Sequence, residues 1–289
     1  MKRIIALTLI LCTFVPLLAC GHPSEEAQIV ATTLPVYEFT DALCANTGLL
    51  VSQLINENVS CLHDYTLKVD QMRTLEHAEL IVINGFDFEA FLDDVLPDNT
   101  PIIDAGEGIE PLCANHNHND HHEHHSDPHI WLSPKNAQIM VDNIYRQLIS
   151  KYPQYQATIN ENYTNICREL TALNDYVAKE LAHLRYRKLI TFHDGFAYMA
   201  KAFGLEVLYT IEEESGSEAS AAELIRIIGT IESHKIDAIF IEKNGSASAA
   251  KIIAAQTGAS IYQLDMAISG SDYFTSMYHN IDTIKEALG

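Results

Sequence analysis

From Gln28 onward, short apolar runs alternate with stretches whose apolar residues return every three or four positions, the pattern of parallel βαβ units. The runs 29–33, 49–54, 80–85 and 101–104 predict four strands, and 36–44 predicts a helix between the first two. The turn 56–65 delivers His63 ahead of a further helix, whose Val69, Met72 and Leu75 are spaced to face inward. After a helix over about 135–150, Pro153 opens the longest periodic segment: Ile159, Tyr163, Ile166, Leu170, Leu173, Val177, Leu181 and Leu184, with no glycine or proline between them. It predicts one stiff helix over 154–186. Four more strands follow at 188–192, 205–211, 237–241 and 260–264.

The fold class read from this pattern is α/β: two parallel-sheet lobes, 28–153 and 187–289, joined by one long rigid helix. About 260 residues exceed one usual hydrophobic core, which also argues for two lobes. Three of the second-lobe strands have an ionisable group just past the C-terminal end, namely His193, Glu242 and Asp265. Open α/β sheets bind ligands at that edge.

The N-terminus changes the picture of where the protein works. Lys2 and Arg3, an apolar run to Leu18 and then Ala19-Cys20-Gly21 read as a secretory signal over 1–20, with a polar tether over 21–27. Ala19-Cys20 resembles the bacterial lipobox, which implies lipidation of Cys20, export, and anchoring at the periplasmic or extracellular face of the membrane. Removing the signal takes the formal charge from −21 to −23, which excludes nucleic acid as a partner and favours cations near the surface. Cys44, Cys61, Cys113 and Cys167 remain. Their spacing fits no CxxC zinc pattern, and four cysteines leave three pairings open.

Candidate chemistry concentrates at 116–134. His116, His118, His121, His122, His124 and His125 form a low-complexity tract that reads as metal binding within the loop 114–126. Immediately after it, Asp127-Pro128-His129-Ile130-Trp131-Leu132-Ser133-Pro134 is rigid in character: a proline fixes the approach to His129, and Ser133-Pro134 opens a helix. His63 and His129 from the first lobe, with His193 and Asp265 from the second, supply three imidazoles and one carboxylate. That donor set closes a tetrahedral zinc site in the interlobe cleft and leaves no position for a catalytic water. Asp127, Asp194 and Glu242 are placed to orient the imidazoles.

Several segments resemble, in order, the zinc/manganese solute-binding proteins of ABC importers. They are His63-Asp64-Tyr65, Ala78 to Gly85 with Glu89, Asp127 to Pro134, Phe192-His193-Asp194-Gly195-Phe196-Ala197-Tyr198, Phe240-Ile241-Glu242 and Leu264-Asp265. The resemblance spans nearly the whole chain after the tether. It implies two lobes around one ion, ligand roles for His63, His129, His193 and Asp265, no catalysis, a membrane permease as partner and a monomeric receptor. A histidine at position 193 resembles the zinc-uptake subgroup, and nitrogen-rich sites suit Zn(II) better than Mn(II). Manganese is the alternative cargo within the family. Cys61-Leu62 departs from the Asp-Pro that the family carries before the first histidine.

Two other classes compete. His116-Asn117-His118-Asn119-Asp120-His121 spells the HxHxDH run of metal-dependent hydrolases, but six histidines in ten positions generate such spacings by chance and no strand immediately precedes them. A surface adhesin lipoprotein, with metal only stabilising the fold, is the other.

Overall fold

The computed structural model describes residues 27–57, 62, 65–97, 99–112, 126–211, 220–243 and 245–289. The signal and Cys20, Cys61, His63, Cys113 and the six histidines of 116–125 lie outside them.

Each lobe is built on four parallel strands. In the first, β1 (Ile29–Ala31) and β3 (Leu80–Ile83) are the central pair, flanked by β2 (Val51–Gln53) and β4 (Ile102–Asp104) in the order β2-β1-β3-β4. In the second, β5 (Lys188–Thr191), β6 (Glu206–Thr210), β7 (Ala238–Glu242) and β8 (Ser260–Leu264) repeat that order as β6-β5-β7-β8. The burial follows from position. Central strands are covered on both faces, so β1 and β7 are buried throughout, while the edge strands β2 and β8 are only partly covered. In this order the connections reverse direction between β1 and β3, and between β5 and β7, which opens a crevice at the carboxyl ends of those strands.

The helices are α1 (Leu34–Cys44), α2 (Val69–Glu76), α3 (Pro134–Lys151), α4 (Gln156–Glu180), α5 (Ala197–Phe203), α6 (Ala221–His234), α7 (Ser248–Thr257) and α8 (Tyr273–Leu288). α3 starts as its sequence dictates, with Pro134 in its first turn and Ser133 Oγ accepting from Asn136 N. α4 runs 25 residues, about 37 Å, and buries Ile159, Ile166, Leu170, Leu173 and Val177. It packs on α1 and α3 of the first lobe and on α8 of the second. It stops short of the expected 186: the chain turns after Glu180, and Arg187 donates to the carbonyls of Leu181 (3.0 Å) and Ala182 (3.3 Å). Leu181 and Leu184 keep the apolar rhythm, but they cover the core from that turn.

α2 also differs from expectation. Leu75 is buried, but Val69 and Met72 are exposed and Gln71 points inward in their place. Gln71 donates to Leu54 O (2.8 Å) and accepts from Lys68 N (2.9 Å). The bond to Leu54 O ties this face of the eight-residue helix to the end of β2, while the bond from Lys68 N caps the helix start. Cys44 and Cys167 are free thiols, so neither takes part in a disulfide, and burial pushes the Cys44 thiol up to about 12.

One apolar core runs through both lobes, from β1 and β3 through α1, α3 and α4 to α5 and α8; a second, under α6 and α7, covers the other face of the second sheet. Trp131, at 0% exposure, sits where the lobes meet. Its Nε1 donates to Met266 O (2.8 Å), and its own carbonyl accepts from Tyr273 Oη (3.0 Å). Tyr273 N donates to Glu38 Oε2 (2.7 Å), and the Tyr273 and Phe39 rings meet edge to face. Burying an indole withdraws about 200 Å² from water, about 5 kcal/mol of transfer free energy. Trp131→Phe keeps much of that area and deletes the N–H. It is expected to lower stability by about 1–3 kcal/mol by leaving the Met266 carbonyl unsatisfied. A urea titration whose midpoint is unmoved would show that this interlobe bond contributes nothing.

Candidate metal centre

His129 and His193 come together from opposite lobes. Their Nε2 atoms lie 3.3 Å apart, the rings are nearly perpendicular, and each residue is 3% exposed. Each ring is addressed from behind by a carboxylate. Asp127 Oδ1 accepts from both the backbone N (2.9 Å) and the Nδ1 (2.8 Å) of His129. A carboxylate only accepts, so Nδ1 carries the proton and Nε2 presents a lone pair. Glu242 Oε1 is 2.9 Å from His193 Nδ1, close enough for an ion pair although out of line for a good hydrogen bond. Glu242 is the last residue of β7, not the first beyond it, so a strand holds it rigidly.

The two imidazoles differ in proton affinity. Burial dominates at His129 and holds its pKa below the ordinary 6.5, despite the Asp127 hydrogen bond and charge. At His193 burial pulls the same way, but the Glu242 contact and charge, with help from Asp194 and Asp127, outweigh it and raise the pKa above 6.5. Two lone pairs cannot face each other at this distance unless something positive stands between them. The pair therefore holds either one proton, nearer His193, or one cation.

The approach to His129 is fixed from the crevice of the first lobe, at the carboxyl end of β3. Gly85, Phe86 and Asp87 all have positive φ after β3 (+86°, +59° and +57°), a turn only glycine enters without strain. Glu89 holds it together: its carboxylate accepts from Asn84 N (2.7 Å), Gly85 N (3.1 Å) and Thr32 Oγ1 (2.6 Å). Burial nevertheless drives this carboxyl up to about 7. Asn84 Nδ2, pinned by that turn, donates to Pro128 O (3.0 Å), the carbonyl just before His129. Phe88 and Trp131 flank the imidazole with ring centroids at 5.7 and 5.3 Å. Gly195 closes the opposite side: a Cβ there would stand 2.8 Å from the His129 ring and 2.6 Å from Met266 Cε, so only glycine lets the β5–α5 turn approach this closely.

Asp265 follows β8, buried, and clamped by reciprocal bonds with Asn280: its N donates to Asn280 Oδ1 and its O accepts from Asn280 Nδ2, each at 2.7 Å. Its Oδ1 accepts from Ala267 N and its Oδ2 from Lys243 Nζ, each at 2.9 Å. Asp194 opens a short 3₁₀ turn after His193. Among the described residues no set of three His, Cys, Asp or Glu stands close enough to hold an ion, and two of the four proposed ligands, His129 and His193, are in mutual reach. His63 lies outside the described residues, as does the HxHxDH run. Leu112, where the described chain breaks off before the histidine tract, is tied to its far end by Asp127 N to Leu112 O (2.9 Å) and to the second lobe by Tyr198 Oη.

Sequence reasoning missed the supporting residues. Asn84, Glu89 and Gly195 stood in the motifs without a role; Phe88, Asn280 and Lys243 had no local signal, because each acts through a contact distant in sequence.

Comparison with known proteins bears on what this arrangement serves. The family model described as zinc-uptake complex component A, periplasmic (ZnuA), matches residues 29–287. A putative metal-binding protein of Treponema pallidum (strain Nichols) is 29% identical over 279 residues, 91% of this chain and 88% of the relative. The zinc-binding lipoprotein AdcA of Streptococcus pneumoniae serotype 4 is 26% identical over 311 residues; the match takes in 99% of this chain but 61% of AdcA's length. A crystal structure of ZnuA superposes with a TM-score of 0.79 at 28% identity, covering 91% of this chain and 100% of that one. The two four-stranded parallel lobes, the long α4 and a match running through both lobes agree on one conclusion: the chain belongs to the ZnuA family of metal solute-binding proteins of ABC importers.

Proposed function

We propose that the protein is an extracytoplasmic receptor that captures a single Zn(II) ion between its lobes and delivers it, unchanged, to an ABC import permease in the membrane. The observation that carries this reading is the 3.3 Å separation of the His129 and His193 Nε2 atoms. Two nitrogens each about 2.0–2.1 Å from a tetrahedral zinc ion sit about 3.3–3.4 Å apart, so the imidazoles already stand at the edge length of such a site. His63 and Asp265 complete the donor set, and Asp127 and Glu242 orient the rings. Two buried neutral nitrogens favour zinc over the harder, oxygen-preferring manganese. With four protein donors, no position is left for a reactive water, so the protein carries the ion without chemistry.

Lipidation at Cys20 anchors the monomeric receptor to the outer face of the cell membrane, and the zinc-binding lipoprotein relative supports that reading. The tract from His116 to His125 collects zinc near the cleft mouth and is not part of the tight site.

Calorimetric titration of the chain lacking residues 1–20 is expected to show one tight zinc site. Deleting 116–125 leaves it intact, whereas His129→Ala with His193→Ala abolishes it. Loss of the tight site with the tract alone would overturn the ligand assignment.

Proton competition follows from the shifts above. The raised pKa of His193 means more than half of it carries a proton at pH 6.5, so zinc binding there releases a proton. Affinity is expected to fall about tenfold per pH unit below His193's pKa. Glu242→Gln removes the largest of the contributions that raise this pKa and leaves only the charges of Asp194 and Asp127 to oppose burial. In metal-free protein, an NMR titration is expected to put His193 lower in that variant than in the wild type. An unchanged or higher value would contradict the assignment of Glu242.

A further inference from the structure

Asp265 has one carboxylate oxygen committed to the backbone, Oδ1 to Ala267 N, and its main chain is locked by the fully buried Asn280. The other oxygen, Oδ2, is held at 2.9 Å by the ammonium of Lys243. The two partners are unequal: the Asp265 side chain is 6% exposed and the Lys243 side chain 44%. Lys243 directly follows Glu242, and its backbone N donates to Leu264 O, so its stem is rooted between β7 and β8, beside the ligands. The head group is a compact, strongly hydrated charge on a flexible four-carbon stem with open solvent beside it. The carboxylate cannot move, and the ammonium can.

From this geometry we infer that Lys243 is a tethered competitor for the metal: a cation built into the chain that occupies Asp265 Oδ2 and must swing out to solvent when an ion takes that oxygen. The inference rests on Asp265 being a metal ligand, as proposed above. It has two consequences. Lys243 lowers the affinity of the site for any divalent cation, because the ion displaces a paired charge and then sits beside it. It also speeds release, because the departing ion leaves a buried carboxylate that finds its counter-charge at once and is never stranded unpaired. A receptor that must surrender its cargo to a permease gains from the second what it loses from the first.

The test uses the full chain without residues 1–20. Lys243→Met removes the charge and keeps most of the stem, and is expected to tighten zinc binding about tenfold, mainly through slower transfer of zinc to a fluorescent chelator. Lys243→Arg, which keeps a cation, is expected to stay near wild type. In an Asp265→Asn background, Lys243→Met is expected to change nothing. As a readout independent of affinity, the acetylation rate of Lys243, followed by mass spectrometry, is expected to rise when zinc is added. Unchanged or weaker zinc binding by Lys243→Met, or a labelling rate indifferent to zinc, would overturn the inference while leaving the ligand assignment standing. Zinc affinity unaffected by Asp265→Asn would instead remove Asp265 from the ligand set, and this inference with it.

Discussion

Two imidazole nitrogens facing each other at 3.3 Å, in a site almost without solvent, are the constraint around which this protein is arranged. Left to themselves, two such rings would rotate apart or take up water. Here each is held by a carboxylate behind it, and neither carboxylate is free to follow. Asp127 is fixed by its bond to the His129 backbone, and Glu242 by its place at the end of a buried strand. The pair is thus prepared for a positive charge before one arrives, which is what a site needs if binding energy is not to be spent on ordering its ligands.

The scaffold serves that arrangement at longer range. His193 and Glu242 leave β5 and β7, the two strands between which the second sheet reverses direction. On the other side, Glu89, Asn84 and the positive-φ turn after β3 brace Pro128 from the equivalent crevice of the first sheet. The lobes do not merely face each other. They share an apolar core, and the bonds of Trp131 to Met266, Tyr273 to Trp131 and Glu38, and Tyr198 to Leu112 cross between them close to the site. Wide opening would break these bonds and expose Trp131, so this seam opposes hinging between the lobes.

Much of this was legible in the sequence because it is local. Apolar runs gave all eight strands, and the alternation with helical stretches gave the parallel lobes. Pro128 and the strand ends singled out His129 and His193. The misreadings share a cause in tertiary contacts. Apolar rhythm continued to Leu184 although the helix ends at Glu180, because residues in a turn can cover the same core. Val69 and Met72 looked like a buried face, but the hydrogen bond of Gln71 to Leu54 O turns a polar face inward instead. The bracing by Glu89, the close approach at Gly195 and the pairing of Lys243 with Asp265 left no periodic trace. A buried glutamate, a glycine in a turn and a lysine after a strand look ordinary until the fold brings their partners near.

The central claim is that one ion sits between His129 and His193. Anomalous diffraction at the zinc edge, from crystals of the zinc-loaded chain, tests it most directly. The account predicts a single strong peak about 2.0–2.1 Å from both Nε2 atoms, with Asp127 and Glu242 still behind the rings. A peak found only among the histidines of 116–125, with none between these two rings, would contradict it.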